Sequence, residues 1–161
     1  MARVAIQTED FDTGAELAAL TSGRTDIGGI GCFVGTVRQT AEGEALAALT
    51  LEHYPGMTER ALEAIAAEAE RRFPLLGCTV IHRVGRLDPG ANVVLVLAAS
   101  AHRQAALDAT WFLIDWLKTK APFWKQEVFA DGTARWVAAR EADTKAAARW
   151  GATQAGQEAP G

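Results

Sequence analysis

The sequence predicts an α+β domain. Three observations carry that prediction: amphipathic stretches at helical spacing, several β-branched or alternating runs, and no regular strand–helix–strand repeat of the kind that builds a parallel sheet. The chain has 161 residues, 49% hydrophobic and 22% charged. That composition suits one globular domain and excludes a chain too polar to bury a core. The longest apolar runs, such as Val93 to Ala99, fall far short of the ~20 residues of a membrane-spanning helix.

Ala2 to Thr8 alternates as a short strand, and Asp12 is placed to cap a short helix running through Leu20. Ile27 to Arg38 (IGGIGCFVGTVR) is glycine-rich and β-branched, the pattern of a strand with a close backbone neighbour or a bulge. Gln39 to Glu44 is a polar loop leading into an alternating strand, Ala45 to Tyr54, which Pro55-Gly56 breaks. Thr58 to Phe73 carries Ala61, Leu62, Ile65, Ala69 and Phe73 at helical spacing and is stopped by Pro74. Cys78 to Val84 and Asn92 to Ala99 are β-rich and joined across the turn signal Asp88-Pro89-Gly90. Ser100 is the expected cap of the next helix, with Leu107, Trp111, Ile114 and Leu117 as its buried stripe and Pro122 as its end. Lys125 to Phe129 and Thr133 to Ala138 flank Ala130-Asp131-Gly132 as a hairpin. Glu141 to Trp150 is a last short helix, and Gly151 to Gly161 has the composition of a disordered tail. The expected organisation is one domain over residues 1–150 with a tail over 151–161.

The opening stretch MARVAIQTEDFD turns acidic at once and has no signal-peptide h-region. Cys32 and Cys78, in apolar contexts, read as buried free thiols of a reducing, cytoplasmic compartment. The histidines and cysteines lack zinc-site spacing, so no metal is expected. A net charge of -4 argues against a bulk nucleic-acid binder. The charge is uneven, however: residues 81–125 carry a net of +3 and the rest a net of -7. A basic concentration in an acidic chain suits an anionic small molecule or a carboxylate, and it also suits scatter on a solvated face.

No phosphate-binding glycine loop qualifies, because Gly28, Gly29, Gly31 and Gly35 lie inside a strand pattern. There is no Gly-x-Ser-x-Gly elbow, and neither cysteine adjoins a histidine. Three basic groupings remain. Ser100-Ala101-His102-Arg103 opens the long helix, where free N–H groups bind anions and where cations oppose the helix dipole. The alternative there is a packed histidine and a surface arginine. Lys118-Thr119-Lys120-Ala121-Pro122-Phe123-Trp124-Lys125 is the second grouping. Lys118 and Lys120 are also ordinary partners of a helix C-terminus. Lys125, past the proline and beside two aromatics, is an acid/base or nucleophile candidate. Arg38 is the third; it ends the face carrying Ile30, Cys32, Val34 and Thr36, either as an anion clamp or as a snorkelling edge residue. His53 and His82 share strand faces with apolar residues and read as core or interface positions.

Sixteen residues separate His102 from Lys118, roughly 24 Å along a helix. One small ligand cannot touch both ends. They serve two sites, or a two-fold dimer sets one chain's helix start against the other's helix end.

The stretches LTLEHYPGMTE (49–59), VIHRVGRLDPG (80–90), SAHR (100–103), LKTKAPFWK (117–125) and RWVAARE (135–141) resemble the large, catalytic subunit family of molybdopterin synthase, MoaE. The resemblance spans about residues 2 to 150, with all five motifs in order. It implies an α/β hammerhead fold with an additional antiparallel β-rich subdomain. It implies a homodimer within a heterotetramer, each copy binding a small ubiquitin-like sulfur-carrier subunit whose C-terminal Gly-Gly thiocarboxylate enters a pocket. The implied enzyme is a sulfurtransferase of molybdenum cofactor biosynthesis: two sulfur transfers convert cyclic pyranopterin monophosphate into the dithiolene of molybdopterin. No cofactor or metal is implied, since the sulfur arrives on the partner. Nucleic acid and membranes play no part.

Position by position, the family's substrate-binding segments fall on Thr36, Val37 and Arg38, on His102 and Arg103, on Lys118, and on Lys125, Gln126 and Glu127. Lys118 and Lys125 resemble the family's catalytic lysines, and Arg140 a further basic residue near the pocket. Thr36 and Gln126 stand where relatives often carry a basic residue. Two alternatives are a non-catalytic adaptor that captures a ubiquitin-like tail, and an anion-binding enzyme with an unrelated substrate.

Overall fold

The computed structural model describes residues 2–137 and 141–151, with Glu141 and Ala142 described in their backbone alone. Its first sheet is built from β1 (Ala2–Gln7), β2 (Gly29–Thr36), β5 (Leu75–Arg83) and β7 (Asn92–Ser100), in the order β1-β5-β7-β2. β1 runs parallel to β5, and the other pairings are antiparallel. The second sheet contains β3 (Thr40–Ala41), β4 (Glu44–His53), β8 (Phe123–Phe129) and β9 (Ala134–Trp136), with β6 (Gly85–Leu87) also paired to β4. The helices are α1 (Thr13–Thr21), α2 (Met57–Arg72), α3 (Arg103–Lys120) and α4 (Glu141–Ala148). This is the α+β arrangement with an antiparallel β-rich part. Among the described residues, no helix is long and apolar enough to cross a membrane.

The apolar run Val93 to Ala99 is continuous because β7 is covered on both sides over most of its length. On one face, Cys78, Val80, Val96 and Ala98 meet Leu62, Ile65 and Ala69 of α2 and Phe112, Leu113 and Trp116 of α3. On the other, Ile81, Leu95 and Leu97 pack with Phe11 and with Leu17 and Leu20 of α1. Asp12 caps α1 as expected: its Oδ1 accepts from the Ala15 N–H at 2.9 Å. A third small cluster, Val37, Leu51 and Leu87, joins the two sheets.

Several expectations need correction. Cys78 is buried, but Cys32 is exposed. Cys32 lies on the outer strand β2, whereas α1 covers β5 and β7 on that face. Ser100 does not cap α3; it completes β7, and its Oγ donates to the Pro74 carbonyl at 2.8 Å. His102 occupies the N-cap position without a side-chain cap. Leu107 and Trp111 are 58% and 54% exposed. Of the expected stripe Leu117 is buried and Ile114 half-buried, and the rest of the buried side of α3 is Ala106, Ala109, Thr110, Leu113 and Trp116, with Phe112. Ala106 and Thr110 are small because α3 lies directly on the Gly31 backbone there, a distance that Leu107 or Trp111 would not allow. The expected loop Gln39 to Glu44 contains β3, turned back onto β4 by Glu42 and Gly43, both at positive φ. The expected tail is described only at Gly151; residues 152–161 lie outside the described residues.

At Gly31 a Cβ would fall 2.6 Å from the Ala106 carbonyl oxygen and would overlap Thr110 Oγ1. Gly31→Ala is expected to cost about 1–3 kcal/mol of stability, because helix backbone cannot yield as a flexible side chain would. Thermal unfolding should show a Tm lower by roughly 2–4 °C per kcal/mol.

Candidate functional site

Where α3 ends, the first sheet runs on beyond its helical cover and β8 of the second sheet comes alongside. Two adjoining hollows open there. The inner one, about 150 Å³, has Phe33, Thr36, His82, Lys118, Phe123 and Lys125 among its walls. The outer one, about 240 Å³, is walled by Thr36, Val37, Arg38, Lys118, Lys125 and Glu127, with Asp143 of α4 at its edge. The two share Thr36, Leu49, Lys118 and Lys125.

Each cation reaches the site for a local reason. Lys118 and Lys120 sit in the last turn of α3 but on different sides. Lys118 faces the hollows, while Lys120 lies over the Trp116 ring at 4.8 Å. On β8 the alternation of a strand sends Lys125 and Glu127 one way and Trp124 and Gln126 the other. The pairing of β2 with β7 slips between Gly35 and Thr36, which partner Val94 and Asn92, and both Gly35 and Thr36 line the inner hollow. Val37 is a buried anchor: its N–H donates to Ala91 O at 2.9 Å and its carbonyl accepts from Gly90 at 2.7 Å. Arg38 follows it, exposed at the rim.

Two negative groups balance part of this charge. Glu127 is bonded by Arg135 at 3.3 Å, and Arg135 also pairs with Glu42 at 3.1 Å. Asp143 reaches the outer hollow because α4 is tied to α3 by a buried carboxylate. Asp115 Oδ2 accepts from Trp150 Nε1 at 2.7 Å and pairs with Arg149 at 3.2 Å. What the arrangement can do chemically is receive an anion and oppose charge that develops on an oxygen or sulfur.

The structure thus brings together Thr36, Val37, Arg38, Lys118, Lys125 and Glu127. It does not bring Gln126 with them; its place on β8 turns it to the other face of the sheet, opposite Thr50 and Trp136. His102 and Arg103 lie exposed at the far end of α3, where His102 edges a separate shallow hollow with Phe73 and Pro74. Arg140 lies outside the described residues. His53 is half-buried, 3.9 Å from Glu59, and borders a further hollow with Tyr54 and Trp124.

His82 is the wall residue that sequence reasoning passed over. It is buried, as its apolar neighbours on the strand imply, but it is the place where the helix-covered face gives way to the inner hollow. Its ring stacks on Phe123 with centroids 3.8 Å apart. Burial, then the charges of Lys125 and Lys118, push its pKa down to about 4.

Comparison with known proteins follows the same lines. The model of the MoaE protein family matches residues 6–120. A molybdopterin synthase catalytic subunit from Mesorhizobium japonicum is 58% identical over 148 residues, covering 91% of this chain and 92% of its own. The solved MoaE protein from Burkholderia ambifaria superposes with a TM-score of 0.80 at 53% identity, over 94% of this chain and 99% of that one. A chain from the complex of subunits 1 and 2 of the Helicobacter pylori molybdopterin-converting factor shares the fold, with a TM-score of 0.65 at 20% identity, over 87% of this chain and 90% of that one.

The His82 environment sets a pH dependence. The folded ring stays neutral down to about pH 4, while the unfolded chain takes up that proton near its ordinary value of 6.5. Stability from this group is whole above about pH 6.5 and is lost as pH falls toward 4, by up to ~3 kcal/mol. Denaturant unfolding across that window should give a flatter curve for His82→Gln than for the unaltered chain.

Proposed function

The chain belongs to the MoaE family, and from that membership we propose that it is the catalytic subunit of a molybdopterin synthase, a sulfurtransferase. Its sulfur donor is the thiocarboxylated C-terminus of a small ubiquitin-like carrier subunit. Its acceptor is cyclic pyranopterin monophosphate, which two transfers convert to the molybdopterin dithiolene. The observation that carries this reading is the convergence of Arg38, Lys118 and Lys125 on one hollow in a chain of net charge -4. Donor tail and acceptor phosphate are both anionic, so a local cationic cavity is what such a reaction needs.

In this reading Lys118 stands at the carrier's terminal carbonyl and stabilises negative charge as the sulfur bonds to the pterin carbon and as water then cleaves the resulting thioester, leaving sulfur on the pterin and a carboxylate on the carrier. Lys125 orients the substrate or serves as acid/base. Arg38, with His102 and Arg103 of a second copy of the chain, holds the pterin and its phosphate. Thr36 and Val37 shape the wall beside it, and Glu127 is held in place by Arg135. Gln126 and Arg140 belong to the binding segments by family resemblance. His102 and Arg103 come from a second copy of the chain, because roughly 24 Å of helix lies between them and Lys118. The working assembly is therefore a homodimer carrying two small subunits. The local cations and the absence of cysteine from the walls of both hollows fit an imported sulfur: Cys32 is exposed elsewhere on β2, and Cys78 is buried with its pKa pushed up to about 12.

Mixing the chain with thiocarboxylated carrier and cyclic pyranopterin should yield dithiolene product. Lys118→Ala should lower the rate by ~10²-fold or more, the scale of losing a main electrostatic stabiliser. Near-normal product from that variant would overturn the assignment, and carrier binding without product from the unaltered chain would leave only an adaptor. Arg103→Ala and Lys118→Ala chains, each inactive alone, should recover activity when mixed. No recovery after proven subunit exchange would refute the shared site.

A further inference from the structure

His82 is a buried titratable group with no role in the reaction described above. It closes the helix-covered face of β5 and is only 6% exposed. Two contacts fix the ring: the stack on Phe123, tilted by 16°, and a hydrogen bond of 2.8 Å between Nδ1 and the Arg83 carbonyl. A carbonyl only accepts, so Nδ1 carries the proton and Nε2 presents a lone pair. Nε2 makes no hydrogen bond among the described residues, yet it is not sealed: the fully sealed, unpaired side-chain nitrogen among them is Trp116 Nε1. The space that His82 borders is the inner hollow, shared with Lys118 and Lys125.

Lys125 is two residues beyond Phe123 on the same face of β8, ~7 Å along the strand. Of the cations acting on the ring, Lys125 from β8 is the strongest, followed by Lys118 from α3 and His53 from β4. The Arg83 guanidinium is turned away, onto the carbonyls of Thr8 and Asn92.

We propose that His82 is a positioning residue of this site: when the anionic guest draws the ε-ammonium group of Lys125 into the inner hollow, the free Nε2 lone pair accepts a hydrogen bond from it and holds that cation on the guest. The inference rests on the sulfur-transfer reading and adds a neutral acceptor to it. Lys118 and Lys125 repel each other across one small hollow, and a fixed acceptor opposes the outward swing that this repulsion favours. A carboxylate would hold the ammonium as firmly but would cancel the charge the guest needs. A neutral imidazole holds it and leaves the charge intact.

The test uses two variants and one spectrum. His82→Phe keeps a ring against Phe123 and removes the acceptor; His82→Gln keeps an acceptor and removes the ring. With thiocarboxylated carrier and cyclic pyranopterin monophosphate, His82→Phe should lower kcat about 10-fold and leave the KM for carrier nearly unchanged, and His82→Gln should regain part of the loss. A His82→Phe variant at the unaltered rate, in an assay where the unaltered chain makes product, overturns the inference alone. An unaltered chain that makes no product overturns the sulfur-transfer reading and the inference with it. Ring ¹⁵N resonances of the unaltered protein test the same claim without disturbing the fold. Nε2 should stay unprotonated between about pH 5 and 8, and its resonance should move when the carrier tail binds, a shift that Lys125→Met should remove. Protonation on Nε2, no shift on binding, or a shift that survives Lys125→Met overturns the inference.

Discussion

The close seat of α3 on the glycine strand β2 is the constraint from which the rest of the site follows. Ala106 and Thr110 rest on Gly31 with no room for a Cβ between them. That contact sets the height and rotation of an 18-residue helix. Its rotation decides which lysine of the last turn looks inward, and Lys118 does while Lys120 lies on Trp116. Its length decides that His102 and Arg103 finish far from the hollow their relatives' motifs associate with it. A helix this rigid cannot bend to close the gap, which is why the proposed site takes those groups from a second copy of the chain and not from local rearrangement.

Electrostatics then works against folding in a small volume. Arg38, Lys118 and Lys125 surround one space, and of the two acids that line it Glu127 is engaged by Arg135. The repulsion is tolerated because the cavity is open to solvent at the Arg38 rim and because a buried but uncharged imidazole lines its floor. The fold spends local stability on a site that becomes favourable when an anion enters it, which is the usual relation between binding sites and strain.

The order of elements was readable along the chain, and so were the Asp12 cap, the breaks at Pro55-Gly56 and Pro122, and the glycine strand. Each depends on local chemistry: a side chain near its own backbone, a missing N–H, a missing Cβ. The buried side of α3 was not readable, because Leu, Phe, Trp and Ile stand on nearly every side of it and the periodicity has no single answer. The short strands β3 and β6 were missed because two or three residues carry no pattern. Cys32 looked buried from its neighbours, and only the position of α1 over β5 and β7 leaves it exposed.

The site divides the same way. Lys118, Lys125 and Arg38 stood out from sequence as cations at element ends beside apolar or aromatic residues, and the chain alone also showed that one helix separates His102 from Lys118. Sequence by itself determined the class of fold, the type of charge and the family motifs, since these rest on composition and on contacts a few residues apart. Only the tertiary structure decided that Thr36 and Glu127 share a cavity with those lysines while Gln126 turns away, and that His82 is a wall and not simply core. Strand register and helix rotation set those relations, and both are fixed by packing between distant segments, such as those of Thr36 and Glu127, 91 residues apart, which no local pattern encodes.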